Sequence, residues 1–160
     1  CGELKDGKSL AAVVVAHRAA DPADPTLPLW DAGARGLAGD HVGAVDALRP
    51  HLAVLLADEA HAVRAEDTWI RALIACKRFD EALAAARNST ARDGDPYFEA
   101  VVHAARGNVD ETRAVLLTLA AQGYPAERFY RDAILGPVMR SEAFADVRAM
   151  FPEPPPDARR

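Results

Sequence analysis

A short polar turn, followed a few residues later by a small or aliphatic side chain, recurs along this chain and excludes most ways of folding it. It is met as Asp6-Gly7-x-x-Leu10, as Gly39-Asp40-His41-x-x-Ala44, as Lys77-Arg78-Phe79-Asp80-Glu81-Ala82, and as Gly107-Asn108-Val109-Asp110-Glu111-Thr112. Asp6 and Asp40 stand 34 residues apart, and the next two intervals are 38 and 30 residues. A period in this range marks stacked supersecondary units, each of which hides the apolar flank its neighbour cannot hide alone.

Between the turns the apolar residues keep helical spacing. Leu10 to Ala20 reads as a helix closed by Asp21-Pro22 and Asp24-Pro25, because proline cannot donate the helical hydrogen bond and restrains its predecessor. Pro28-Leu29-Trp30 opens a helix that runs to Ala38, and another begins near His41. Pro50 predicts a kink in it, with Leu52 to Ala57 continuing as helix. Further helices are expected at Val63–Cys76 and Phe79–Ala86, followed by a polar loop over Asn88–Gly94. Asp95-Pro96 suits a helix start, Gly107 suits its end, and Asn108 with Glu111 has the spacing of a capping box. That helix runs to about Gln122, with Gly123 as its C-terminal glycine. Two shorter helices are expected near Ala126–Leu135 and Ser141–Met150, and no alternating strand pattern is found. The prolines at 152, 154, 155 and 156 make residues 152–160 an extended and largely disordered tail by expectation, which leaves 1–151 as the helical domain.

The turn segments resemble those of the tetratricopeptide repeat, in which Gly-Asp-Tyr-x-x-Ala joins the two helices of each unit. The resemblance covers about Asp6 to Gly123. It implies an all-α, right-handed α-α superhelix of about three to four helix pairs, with Ala44 and Ala82 at close helix crossings and Phe79 wedged between units. The segments Ala120-Ala121-Gln122-Gly123-Tyr124, Leu135-Gly136-Pro137-Val138 and Ser141-Glu142-Ala143-Phe144 resemble the closing part of bacterial proteins of this kind, and imply a C-terminal capping helix that covers the end of the stack.

Composition removes several classes of function. The net charge of -5, with lysine only at Lys5, Lys8 and Lys77, offers no basic patch for nucleic acid. No apolar run approaches the roughly 18 residues of a membrane span. His17, His41, His51, His61 and His103 fit no zinc spacing, and neither a P-loop nor Gly-x-Gly-x-x-Gly is found, so neither metal nor cofactor is expected and the chain reads as a non-enzyme. Gly33, Gly36 and Gly39 form a small-residue stripe that suggests close helix packing, with the close approach of a ligand as the alternative. Cys76 is expected to be a buried thiol. Cys1 admits two expectations: a lipidated start of a periplasmic lipoprotein, or a point inside a longer cytoplasmic array.

The resemblance implies a protein-interaction scaffold that holds a peptide or partner protein on its concave face, lined by the first helix of each pair. On that register the face carries Leu29, Trp30 and Gly33 from one unit and Arg64, Asp67, Thr68 and Arg71 from the next. Tryptophan and arginine are favoured anchors for partners. Leu29 and Gly33 stand where the carboxylate-clamp members of the family place Lys and Asn, so a chaperone-tail clamp is not expected, whereas an acidic peptide could meet Arg64 or Arg71. The rival expectations are a regulatory helical subdomain of a larger bacterial enzyme and a homo-oligomerising element.

Overall fold

A computed structural model describes residues 7–89 and 96–155, and these are all-helical, with no strand among them. Cys1, the turn residue Asp6, most of the polar loop after Asn88, the cap candidate Asp95 and the last residues of the tail lie outside the described residues. The chain divides into two compact units, Cys1–Gly94 and Asp95–Arg160.

In the N-terminal unit the helices are α1 (Gly7–Ala20), α2 (Leu27–Leu37), α3 (His41–Leu48), α4 (Leu52–Ala57), α5 (Ala62–Ala75) and α6 (Phe79–Arg87). Pro50 interrupts the run after α3 with a single 3₁₀ turn, Arg49–His51, before α4 resumes it. Helix α2 packs on both α1 and α3, α5 packs on α6, and α2, α3 and α4 all touch α5. The core between them is aliphatic, built on Leu29, Val45, Leu48, Leu55, Ile70 and Leu73. Ala44 and Ala82 are fully buried.

The C-terminal unit contains α7 (Tyr97–Arg106), α8 (Val109–Ala121), α9 (Ala126–Arg131), α10 (Leu135–Arg140) and α11 (Ala145–Met150). Helix α7 pairs with α8, α10 touches α7, α9 and α11, and α11 touches α8. Three short helices stand where the sequence suggested two. The break is Asp132, whose backbone is extended (φ -68°, ψ 135°) and whose Oδ1 accepts from the N–H groups of Ile134 and Leu135 at 2.7 and 2.9 Å. Tyr97 donates its hydroxyl to the other carboxylate oxygen at 2.8 Å, so a residue 35 positions away ends one helix and starts the next. Gly136 is required there: a Cβ would lie 2.8 Å from the carbonyl oxygen of Tyr130. Phe151 is buried against Phe129, and Tyr130 donates to its carbonyl at 2.8 Å. Residues 152–155 have no regular structure, although Glu153 accepts from Arg140.

Three of the corners between helices share one backbone geometry. Gly39, Lys77 and Gly107 all hold left-handed backbone, with φ of 83°, 58° and 83°. After each, the next N–H reaches back to a carbonyl five residues earlier: Asp40 to Arg35, Arg78 to Leu73, Asn108 to His103, at 2.9, 2.9 and 3.0 Å. This is the closing bond of a Schellman motif. The next helix then begins, and its small residue falls at Ala44, Ala82 or Thr112. Thr112 is as buried as the alanines, and its hydroxyl is satisfied within its own helix by the carbonyl of Asn108 at 2.6 Å. The capping box expected here does not form. Asn108 makes no side-chain cap, and its amide lies instead 3.5 Å from His103 Nδ1. Cys76, expected to be buried, is only half-buried, because it occupies the C-cap of α5 at the edge of a corner.

Candidate functional site

The six residues singled out for partner binding all lie on α2 and α5, which run beside one another. The entry to α2 is fixed by Asp24, whose Oδ1 accepts from the N–H of Thr26 at 2.7 Å and whose other oxygen lies 2.7 Å from His17 Nε2. The Thr26 N–H, and after it the Thr26 hydroxyl and His17, hold the Asp24 carboxyl below the usual carboxylate range. Thr26 in turn accepts from the indole N–H of Trp30 at 3.1 Å, so the ring is tethered one turn into the helix. On the facing wall, Asp58 organises the approach to α5, with Oδ1 accepting from Ala60 N–H at 3.0 Å and Oδ2 lying 2.7 Å from His61 Nδ1. The His61 contact is the first cause of the lowered Asp58 pKa, and the Ala60 N–H the second.

These two walls bring Arg64 over Trp30, with the guanidinium carbon 4.8 Å from the ring centroid. One turn on, Thr68 donates to the Arg64 carbonyl at 2.8 Å, and Arg71 Nε pairs with Asp67 Oδ1 at 2.9 Å. An open hollow of about 470 Å³ lies between the helices, lined among others by Leu29, Trp30, Gly33, Arg64, Asp67 and Thr68. A second, of about 310 Å³, adjoins it through Gly33, Asp67 and Thr68 and extends past Gly36 to Arg71. Five of the six side chains therefore border the groove with an accessible part. Leu29 is the exception: at 1% exposure it is core, and it contributes wall and no contact surface.

The glycine stripe does not serve the close helix packing that its spacing first suggests. A Cβ on Gly36 would meet nothing within 4 Å, and one on Gly33 would meet only the end of Leu10 at 3.7 Å. These glycines do not bring helices together; they keep the groove floor empty. Sequence reasoning also missed that α1 borders the groove. Leu10, Val13, Val14 and His17 form, with Trp30, a further hollow of about 320 Å³. The signal was available in the valine run, since a helix that packs through one face leaves some of Val13, Val14 and Val15 outside. Only Val14 is buried, while Val13 and Val15 are 51% and 66% exposed.

Among the described residues no group of His, Cys, Asp and Glu is placed to hold a metal ion, and no helix is long and apolar enough to cross a membrane. What the groove offers is an indole, a guanidinium over its ring, one ion pair and an aliphatic border. No protein-family model, curated protein or solved structure matches the chain.

Proposed function

We propose that this chain is a protein-interaction scaffold of the tetratricopeptide-like kind, a right-handed stack of helix pairs that holds a peptide segment of a partner protein along α2 and α5. Three observations support the stacking. The corner geometry recurs at Gly39, Lys77 and Gly107, a small residue follows each corner, and both α2 and α3 pack on the helix that opens the next pair. The observation that carries the binding reading is the open groove itself. Its floor is glycine and its rim is Trp30, Arg64, Asp67 and Arg71, an arrangement that burial in a private core would have filled. Tethered aromatic and arginine side chains lose little freedom on contact, which favours a partner over solvent.

Filling the floor tests this. Gly33→Leu points into the groove, where its Cβ would make only an ordinary contact with the end of Leu10, so the fold should stand. Dodecapeptides selected from a random display library on the wild-type protein should then bind the variant at least about tenfold more weakly, as the loss of one leucine-sized contact predicts. Selected peptides that bind Gly33→Leu and Gly36→Leu as well as wild type would remove the groove from the reading.

A further inference from the structure

We infer that the groove selects a segment that passes through it with a bulky apolar side chain next to an aspartate or glutamate. This rests on the reading that the groove holds a peptide. The charge argument starts from which ions are already neutralised. Asp67 is paired with Arg71, and Asp58 is engaged by His61 and the Ala60 N–H. Arg64 has no carboxylate partner among the described residues; its contact is the Trp30 ring. A guanidinium held over an aromatic face by cation–π attraction spends none of its N–H donors on that contact, which leaves them for a carboxylate. Arg64 also sits in the first turn of α5, which carries no acidic residue, although α6 and α8 both carry two. A cation at that end opposes the helix dipole, and an incoming anion relieves the mismatch.

The apolar half of the specificity comes from α1. Leu10 and Trp30 line both the main hollow and the one bordered by Val13 and Val14, so the aliphatic hollow begins where the arginine site ends. Val13 is half exposed in the free chain. A leucine, isoleucine, methionine or phenylalanine there would remove Val13 and the indole edge from water, which a polar side chain could not do without loss. The anion is assigned to a side chain and not to a chain end because the groove is open on both sides of Arg64, toward Arg71 through Gly36 and toward α1 through Leu10. A segment can continue in either direction.

The test uses the full chain and a dodecapeptide library whose C-terminus is fused to the display coat, so that no free terminal carboxylate is offered. Wild type should enrich Asp or Glu adjacent to a bulky apolar residue. With the amidated consensus peptide, Arg64→Gln, or Glu→Gln in the peptide, should each weaken binding about tenfold to a hundredfold, and the two together no further. Arg64→Glu should recover binding to the same peptide with Lys in place of Glu, which a misfolded variant could not do. Val13→Asp should abolish the apolar preference. An enriched motif without an acidic residue, or one indifferent to Arg64→Gln yet sensitive to Gly33→Leu, overturns this inference and leaves the scaffold reading standing. Peptides indifferent to both overturn the two together.

Discussion

The N-terminal unit buries alanines and aliphatic side chains between helices, whereas the C-terminal unit is built around five aromatic rings, although each leaves hollows open along its surface. Tyr97, Phe98, Tyr124, Phe129 and Phe151 form a connected cluster with centroids 4.8–6.0 Å apart, in which Tyr97 meets each of Phe98, Tyr124 and Phe129. Arg128 lies over two of these rings and donates to the Tyr124 hydroxyl. Long side chains also fasten this unit's turns: Arg113 donates to the carbonyl of Ala143, and Arg148 to those of Met139 and Ser141. In the N-terminal unit the comparable work is done within single turns, by Asp24, Asp40 and Asp58 accepting from backbone N–H groups two or three residues on. Regular helices with small residues between them tolerate a wet groove. Short irregular helices, too brief to hold themselves, need rings and side-chain staples.

The contrast can be broken experimentally, because both tryptophans, Trp30 and Trp69, lie in the N-terminal unit and all three tyrosines, Tyr97, Tyr124 and Tyr130, in the C-terminal one. The largest effect is expected from Phe129→Ala, which removes a fully buried ring that touches three others. It should cost about 3–5 kcal/mol, read as early melting of the tyrosine ring resonances, with tryptophan fluorescence lagging. Simultaneous loss of both signals would mean that the two cores are one cooperative structure. Ala82→Leu should act in the opposite place, overpacking the α5–α6 crossing by about 1–3 kcal/mol and shifting the tryptophan transition. No shift would show that the crossing is looser than its burial implies. The smallest effect concerns Asp40. The Gly43 N–H, then Arg35, hold its carboxyl below the usual range. Its stabilisation is therefore present above the ordinary carboxylate pKa of about 4 and is lost as pH falls through the depressed value. Asp40→Asn should flatten the acid limb of the tryptophan-detected stability curve, and an unchanged limb would assign it to other carboxylates.

How much of this was legible in the sequence follows the same division. Helices with strong spacing and local punctuation were readable almost to the residue: His41, Leu52–Ala57, Phe79 and the glycine after α7 all fall where pattern and turn chemistry place them. The gathering of Trp30, Arg64, Asp67, Thr68 and Arg71 on one groove was also readable, since two helices of known register suffice to predict it. What was not readable depends on distant partners. Nothing near Asp132 announces that Tyr97 will hold it, and without that contact Ala126 to Leu135 reads as one helix. Asn108 and Glu111 have the spacing of a capping box, but His103 lies closer to the amide. The glycine stripe was misread because spacing cannot tell a helix that is approached from one that is left bare.

Lys77 gives the repeated corner a consequence of its own. At Gly39 and Gly107 the reversal is made by a residue without a Cβ, but at α5–α6 a side chain must take the same backbone form, at an intrinsic disadvantage of roughly 1–2 kcal/mol. Fraying of the N-terminal unit should therefore begin at that hinge. Lysine occurs elsewhere in the sequence only at positions 5 and 8, so an endoproteinase that cuts after lysine would find at Lys77 its one target past the first turn of α1, and the nick would separate a helix from the one it packs against.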